Sequence, residues 1–242
     1  MEMDGWYITS IGSVCYSKWQ VCYKIAPIER YVGFPLDNVA NYSIYQFENL
    51  RWLLNEDFSQ IKLDDLEIYN RISGRRMDTG EFKEYHGYKY VGPELKKDIL
   101  LSHFFDAAAG NCNDYISFED GWSRWNHKVS SFMDRLSEPS CRLMMVSMRF
   151  EEDSVHDREY LAVSGRRLCD FMSERFGRSP ENTRMFSIIV TAGVNEDVID
   201  ESSGMFMQIA MPDEPEEKDM LFWQRKMTDR YAKSLKKVID SL

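Results

Sequence analysis

From Asp98 onward, apolar runs of strand length alternate with segments whose apolar residues recur at helical spacing, and no other feature constrains the fold as strongly. Asp98-Ile99-Leu100-Leu101-Ser102-His103-Phe104 reads as a buried strand. Trp122 to Leu136 reads as an amphipathic helix, and Cys141 to Phe150 as a second buried strand after Pro139. A helix over Arg158 to Phe176 stops at Gly177, and a third buried strand covers Met185 to Thr191. The strand Met205 to Ala210 and the helix Met220 to Leu242 come last, separated by an acidic loop at 212–217. Crossover helices are what connect parallel neighbours. The pattern therefore predicts an α/β fold, a three-layer sandwich with a mostly parallel central sheet.

The first half repeats this rhythm less clearly. Trp6 to Ile11 is β-branched and aromatic between Gly5 and Gly12, which predicts a strand. Val14 to Ile25 fits a short helix that ends before Pro27, so Cys15 falls where a strand gives way to a helix. Gly33, Pro35, Asp37 and Asn38 mark turns, and Tyr45 to Leu54 returns to helical spacing. Residues 56–97 show no sustained period, with short pieces around Ile61 to Tyr69 and a polar stretch through Gly92-Pro93. There is no internal repeat and no segment long enough to link domains. A single domain over 1–242 is expected.

Charge and cysteine content narrow the function classes. Thirty basic against forty acidic residues give a formal charge of −10, so a phosphate-binding face would need a local basic patch. Arg71, Arg75 and Arg76 come close, but Asp78, Glu81 and Glu84 follow at once; no nucleic-acid partner is expected. The apolar runs fall far short of the ~20 residues that span a bilayer, and Met-Glu-Met-Asp-Gly carries no export signal, so the expected location is cytoplasmic. Cysteines 15, 22, 112, 141 and 169 form no CxxC pair and no zinc spacing. No metal or other cofactor is expected, and the partner is a small-molecule, peptide or glycan substrate.

Ligands of open α/β sheets bind outside the carboxyl ends of the strands, so the residues expected there are the candidates. They are Ser13 and Cys15 after the first strand, His103 at the end of the next, and then Arg149. A cysteine in the first turn of a helix lies beside unpaired N–H groups and the positive end of the dipole, both of which favour thiolate. His103 then serves as general base, with Asp37 or Asp106 to orient its ring, and the N–H groups from Ser13 onward can hold an oxyanion. Beside this stands the packing role, since cysteine is often a small buried hydrophobe. That role is the expectation for Cys22, Cys112, Cys141 and Cys169, as it is for Met144, Met145 and Met148. His86, His127 and His156 sit in polar stretches and read as surface. Two other functions use the same rim: a glycan-pathway enzyme acting through Asp37, His103 and Arg149, and a noncatalytic module that binds an anion through Arg149 and the helix start.

Ser10-Ile11-Gly12-Ser13-Val14-Cys15, Gly33-Phe34-Pro35-Leu36-Asp37 and His103-Phe104-Phe105-Asp106 occur in the order seen in a bacterial family of papain-like cysteine peptidases, which the chain resembles over about residues 7–150. That family carries a Ser-Leu-Gly-x-x-Cys opening, a Pro-Phe-Asp-Trp element and a later His-Asp. Here Leu36 and Asn38 stand in place of the phenylalanine and tryptophan, and the aspartate after the histidine is displaced to Asp106. The segment from Trp122 to Arg149 is similar to the family's helix followed by a strand ending in arginine. The resemblance implies Cys15 as nucleophile, His103 as base and Asp37 or Asp106 as orienting group, acting on an amide, ester or thioester. It also implies an α+β papain-like alternative for the fold, with the histidine on an antiparallel sheet.

Overall fold

The computed structural model of the chain describes residues 6–11, 38–39, 46–75, 82–92, 99–100, 118–138, 140–151, 155–191, 198–202, 205–210 and 220–242. Nine strands and four α-helices fall within them. The first strand, β1 (Trp6–Ser10), pairs in parallel with β6 (Arg142–Glu151), which pairs in parallel with β7 (Thr183–Thr191), and that in turn with β9 (Met205–Ala210). A short antiparallel strand, β8 (Val198–Ser202), closes the far edge, giving the order β1-β6-β7-β9-β8. The α/β expectation thus holds, with four parallel strands side by side. One detail differs from the predicted alternation. Between β7 and β9 the described chain includes β8, an edge strand that the charged sequence Val198-Ile199-Asp200-Glu201-Ser202 did not advertise.

The helices follow from their patterns. α1 (Gln46–Asn55) is shifted by one residue from the expected helix, α2 (Phe118–Leu136) and α3 (Val155–Phe176) begin four and three residues earlier than expected, and α4 (Met220–Asp240) ends two residues sooner. α3 stops where expected, because Gly177 takes φ +63°, which glycine adopts without strain. α1 stops without glycine. Phe58 N–H donates to Leu53 O at 2.9 Å and Asp57 N–H to Leu54 O at 3.3 Å, the double bond of a Schellman stop, with Asp57 and Phe58 both at positive φ.

A second sheet, order β2-β5-β4-β3, is wholly antiparallel. It contains β2 (Asn38–Val39), β3 (Leu66–Arg75), β4 (Phe82–Tyr90) and β5 (Ile99–Leu100). Its existence corrects the placement of the strand before His103. That strand pairs Tyr90 with Ile99 and Lys89 with Leu100, antiparallel, and does not join the parallel sheet. The connection from Tyr90 to Ile99 is shorter than the dozen or so residues a parallel crossover needs, so the chain turns back on its neighbour. β3 was hard to read because a bulge between Ile68 and Asn70 shifts its register and breaks the two-residue period.

Both faces of the parallel sheet are buried. Tyr7, Ile11, Leu143, Met145, Met185 and Ile189 join the cluster formed with Phe47, Leu50, Leu53, Trp125, Phe132, Leu161, Leu168 and Met172 of α1, α2 and α3. The alternate positions Trp6, Ile8, Met144, Val146, Phe186 and Ile188 are equally buried but lie outside that cluster, as do Tyr231, Leu235 and Val238 of α4. Arg142 ties these two groups: its guanidinium lies 4.4 Å from the Trp6 ring centroid and donates to Leu242 O. No helix among the described residues is long and apolar enough to cross a membrane.

Candidate functional site

Several polar groups are buried along the middle and carboxyl parts of the parallel strands. Thr9 and Ser10 on β1, Ser147 on β6 and Ser187 on β7 are buried hydroxyls in the middle or later part of their strands, while Thr183 at the start of β7 is buried at the opposite edge beside Arg178. Ser147 and Ser187 face each other in register, with their oxygens 2.9 Å apart. Thr9 Oγ1 is fully buried and has no hydrogen-bond partner. The same is true of Trp125 Nε1 in the first half of α2, a helix whose end lies close in sequence to the start of β6 and whose beginning therefore points back toward the carboxyl edge. Trp122 stacks on Trp125 at 4.7 Å between ring centroids. Buried polar atoms without partners cost about 1–3 kcal/mol each, and such costs concentrate where function requires them.

Of the residues singled out from sequence, Arg149 lies within the described chain. It sits in β6 opposite Ile189 of β7, three positions beyond Val146, which is the partner of Ser10. Arg149 therefore belongs to the carboxyl end of β6, beside the point where the chain leaves β1. Ser13, Cys15, Asp37, His103 and Asp106 lie outside the described residues. Their flanking strands are described. Ile11 N–H donates to Val146 O at 2.9 Å, so β1 keeps its pairing up to the segment bearing Ser13 and Cys15. Asn38, which follows Asp37 in the chain, pairs with Leu100, three residues before His103, in an antiparallel register at one end of the second sheet.

The described thiols are of the inert kind. Cys141 is buried and its pKa is raised, chiefly by burial and against the pull of the Arg178 guanidinium. Burial pushes the Cys169 thiol up to about 12, with the Asp170 carboxylate adding to the effect. Both match the packing role expected of them. Among the described residues no group of three or more histidine, cysteine or acidic side chains is placed to hold a metal ion.

A concavity between two helices was missed from sequence. A cleft of about 520 Å³ runs between α1 and α3, lined by charged and aromatic side chains of both helices. Its signal in the sequence is the run of charged and aromatic positions at helical spacing on both helices.

The fold is thus that of an α/β protein with a mostly parallel sheet, and the carboxyl edge of such a sheet is where ligands of open α/β sheets bind. Compared with known proteins, the chain matches no family model, no curated protein and no solved structure.

Proposed function

We propose that the protein is a cytoplasmic cysteine-dependent hydrolase or acyltransferase built as a three-layer α/β sandwich, with Cys15 as nucleophile and His103 as general base. The observation that carries this reading is the parallel pairing of β1 with β6. Ile11, just past β1, bonds to Val146, three residues before Arg149, and Ser13 and Cys15 follow Ile11 by two and four residues in the chain. A thiol that follows a strand at that edge and opens a helix meets unpaired N–H groups, which favour thiolate and can then hold the oxyanion of a tetrahedral intermediate.

Asp37 or Asp106 orients His103, and the second sheet is what keeps Asp37 within reach. Asp37 adjoins Asn38, the partner of Leu100, and His103 follows Leu100 by three residues. Chain connectivity alone keeps the Cα atoms of Asp37 and His103 within about 20 Å, and those of Asp106 and His103, three residues apart, within about 11 Å. A histidine carried by an antiparallel sheet is also what the papain-like resemblance implies. In the reaction, Cys15 Sγ attacks the carbonyl carbon of an amide, ester or thioester and His103 protonates the leaving group. Water, deprotonated by His103, then releases the acyl group and restores the thiol.

The test is alkylation by iodoacetamide at neutral pH, mapped by mass spectrometry. Cys15 should react about tenfold faster than a free thiol, and His103→Ala should slow it. Cys141 and Cys169 stay unlabelled in the folded protein and act as internal controls. Alkylation of Cys15 at or below the rate of a free thiol would end the activated-thiolate reading. An activity that survives Cys15→Ser would move the chemistry to Asp37, His103 and Arg149.

A further inference from the structure

α1 and α3 present matching faces to the cleft between them. Glu48, Arg51 and Trp52 on α1 are spaced i, i+3, i+4, and Arg167, Asp170 and Phe171 on α3 repeat that spacing. Asn55 and Glu174 continue each row by a further turn. The carboxyl ends of the two helices are joined by Arg175, which donates to both carboxylate oxygens of Asp57 at 3.2 and 3.3 Å. Helices joined at their carboxyl ends and sharing a cleft over two turns run in the same direction. Glu48 is then level with Arg167, Arg51 with Asp170, and Trp52 with Phe171.

Opposite charges thus face each other twice across the cleft, in reversed order. Yet among the described residues none of these four side chains is ion-paired. By that alignment the cleft carries two guanidiniums on one diagonal and the carboxylates of Glu48 and Asp170 on the other, with a third carboxylate on Glu174 and two half-buried aromatic rings beside them. From this geometry we infer a binding site for a zwitterion with an apolar body, of which a free α-amino acid with a large apolar side chain is the simplest case. Its carboxylate meets Arg51 or Arg167, its ammonium meets Glu48 or Asp170, and its side chain lies against Trp52 and Phe171. An anion alone would also face the carboxylates of this lining, and a cation alone its two guanidiniums. The volume suits a ligand of this size.

This inference does not depend on the cysteine chemistry, and the Cys15→Ala chain should bind as the natural one does. The experiment is an NMR titration of the full chain with three probes: L-phenylalanine, 3-phenylpropionate, which lacks the ammonium, and 2-phenylethylamine, which lacks the carboxylate. L-Phenylalanine is expected to bind at least about tenfold more tightly than either analogue, and Arg51→Ala or Arg167→Ala to weaken it by a similar factor. The probe comparison uses the unaltered protein, so its outcome does not hinge on a variant folding. Equal binding of the three probes, unchanged affinity in both arginine variants, or no shift at up to about 10 mM amino acid would overturn the site.

Discussion

Arg178 is 1% exposed, and its guanidinium serves a helix end. It donates to Arg135 O, Leu136 O and Glu138 O at 3.3, 3.2 and 3.0 Å, so the unpaired carbonyls at the end of α2 find their donor on the far side of the chain. It also donates to Cys141 O, to Asn182 O at 3.2 Å and to Thr183 Oγ1 at 2.6 Å. Burial lowers its pKa, yet a guanidinium starts so high that the charge stays. Arg178→Lys keeps the charge but offers three donors from one point where a planar fork met six acceptors. It should cost about 3 kcal/mol or more in a urea titration, and Arg178→Ala at least as much. Loss of less than about 1 kcal/mol in both would show that water replaces the fork without penalty. No sequence signal named this residue: Gly177 marked the helix stop, but the carbonyls that Arg178 serves come from a segment some forty positions earlier. The buried thiols give a second test at this scale. A thiol held protonated in the folded state and free to ionise when unfolded adds stability below the unfolded value near 9, and that stability fades as pH rises toward about 12. Urea midpoints should therefore fall above pH 9, and Cys169→Ala should flatten that fall.

At the scale of elements, the ends of helices were legible in proportion to how local their chemistry is. Gly177 announced the end of α3 because a positive φ calls for glycine. The end of α1 was legible only as the last residue of a period, since Asp57 and Phe58 take positive φ without being glycine. Tertiary packing holds them there: Phe58 is buried among the core side chains and meets Phe132 edge-on at 6.3 Å, and Asp57 is pinned by Arg175. Asp57→Asn keeps a residue that tolerates the left-handed region and deletes only an exposed ion pair, so thermal or urea unfolding should shift by less than about 1 kcal/mol. Asp57→Ala loses the pair and meets the full backbone penalty, and should cost about 1–2 kcal/mol. If the two variants are equally stable, the stop is held by the ion pair and not by backbone conformation. Strands were legible where they carry apolar runs, as in β6 and β7. They were hidden where an edge position, a bulge or a polar face removes the period, as in β8 and β3.

For the whole molecule, alternation of strand and helix disclosed the parallel sheet but not the second one, because short antiparallel strands such as Asn38–Val39 and Ile99–Leu100 leave almost no periodic trace. The candidate site shared that fate. Arg149 was placed at the rim of the parallel sheet by its strand alone, while the strand before His103 changed sheets through a short connection that a reading of composition could not weigh. The proposed three layers can be tested from the two buried faces. Leu168 of α3 belongs to the cluster on one face, and Leu235 of α4 is equally buried outside it. If α4 forms the third layer, Leu235→Ala opens a cavity against the face bearing Trp6, Met144 and Phe186 and should cost about 2–5 kcal/mol, as Leu168→Ala should on the other face. With a strand layer between them the two sites share no neighbours, so the double variant should lose the sum of the single losses to within about 0.5 kcal/mol. A loss below about 1 kcal/mol for Leu235→Ala would mean that α4 lies on the sheet without sealing it. A double variant far from additive would mean that both leucines belong to one core, and the sandwich would have to be redrawn with its helices on a single side.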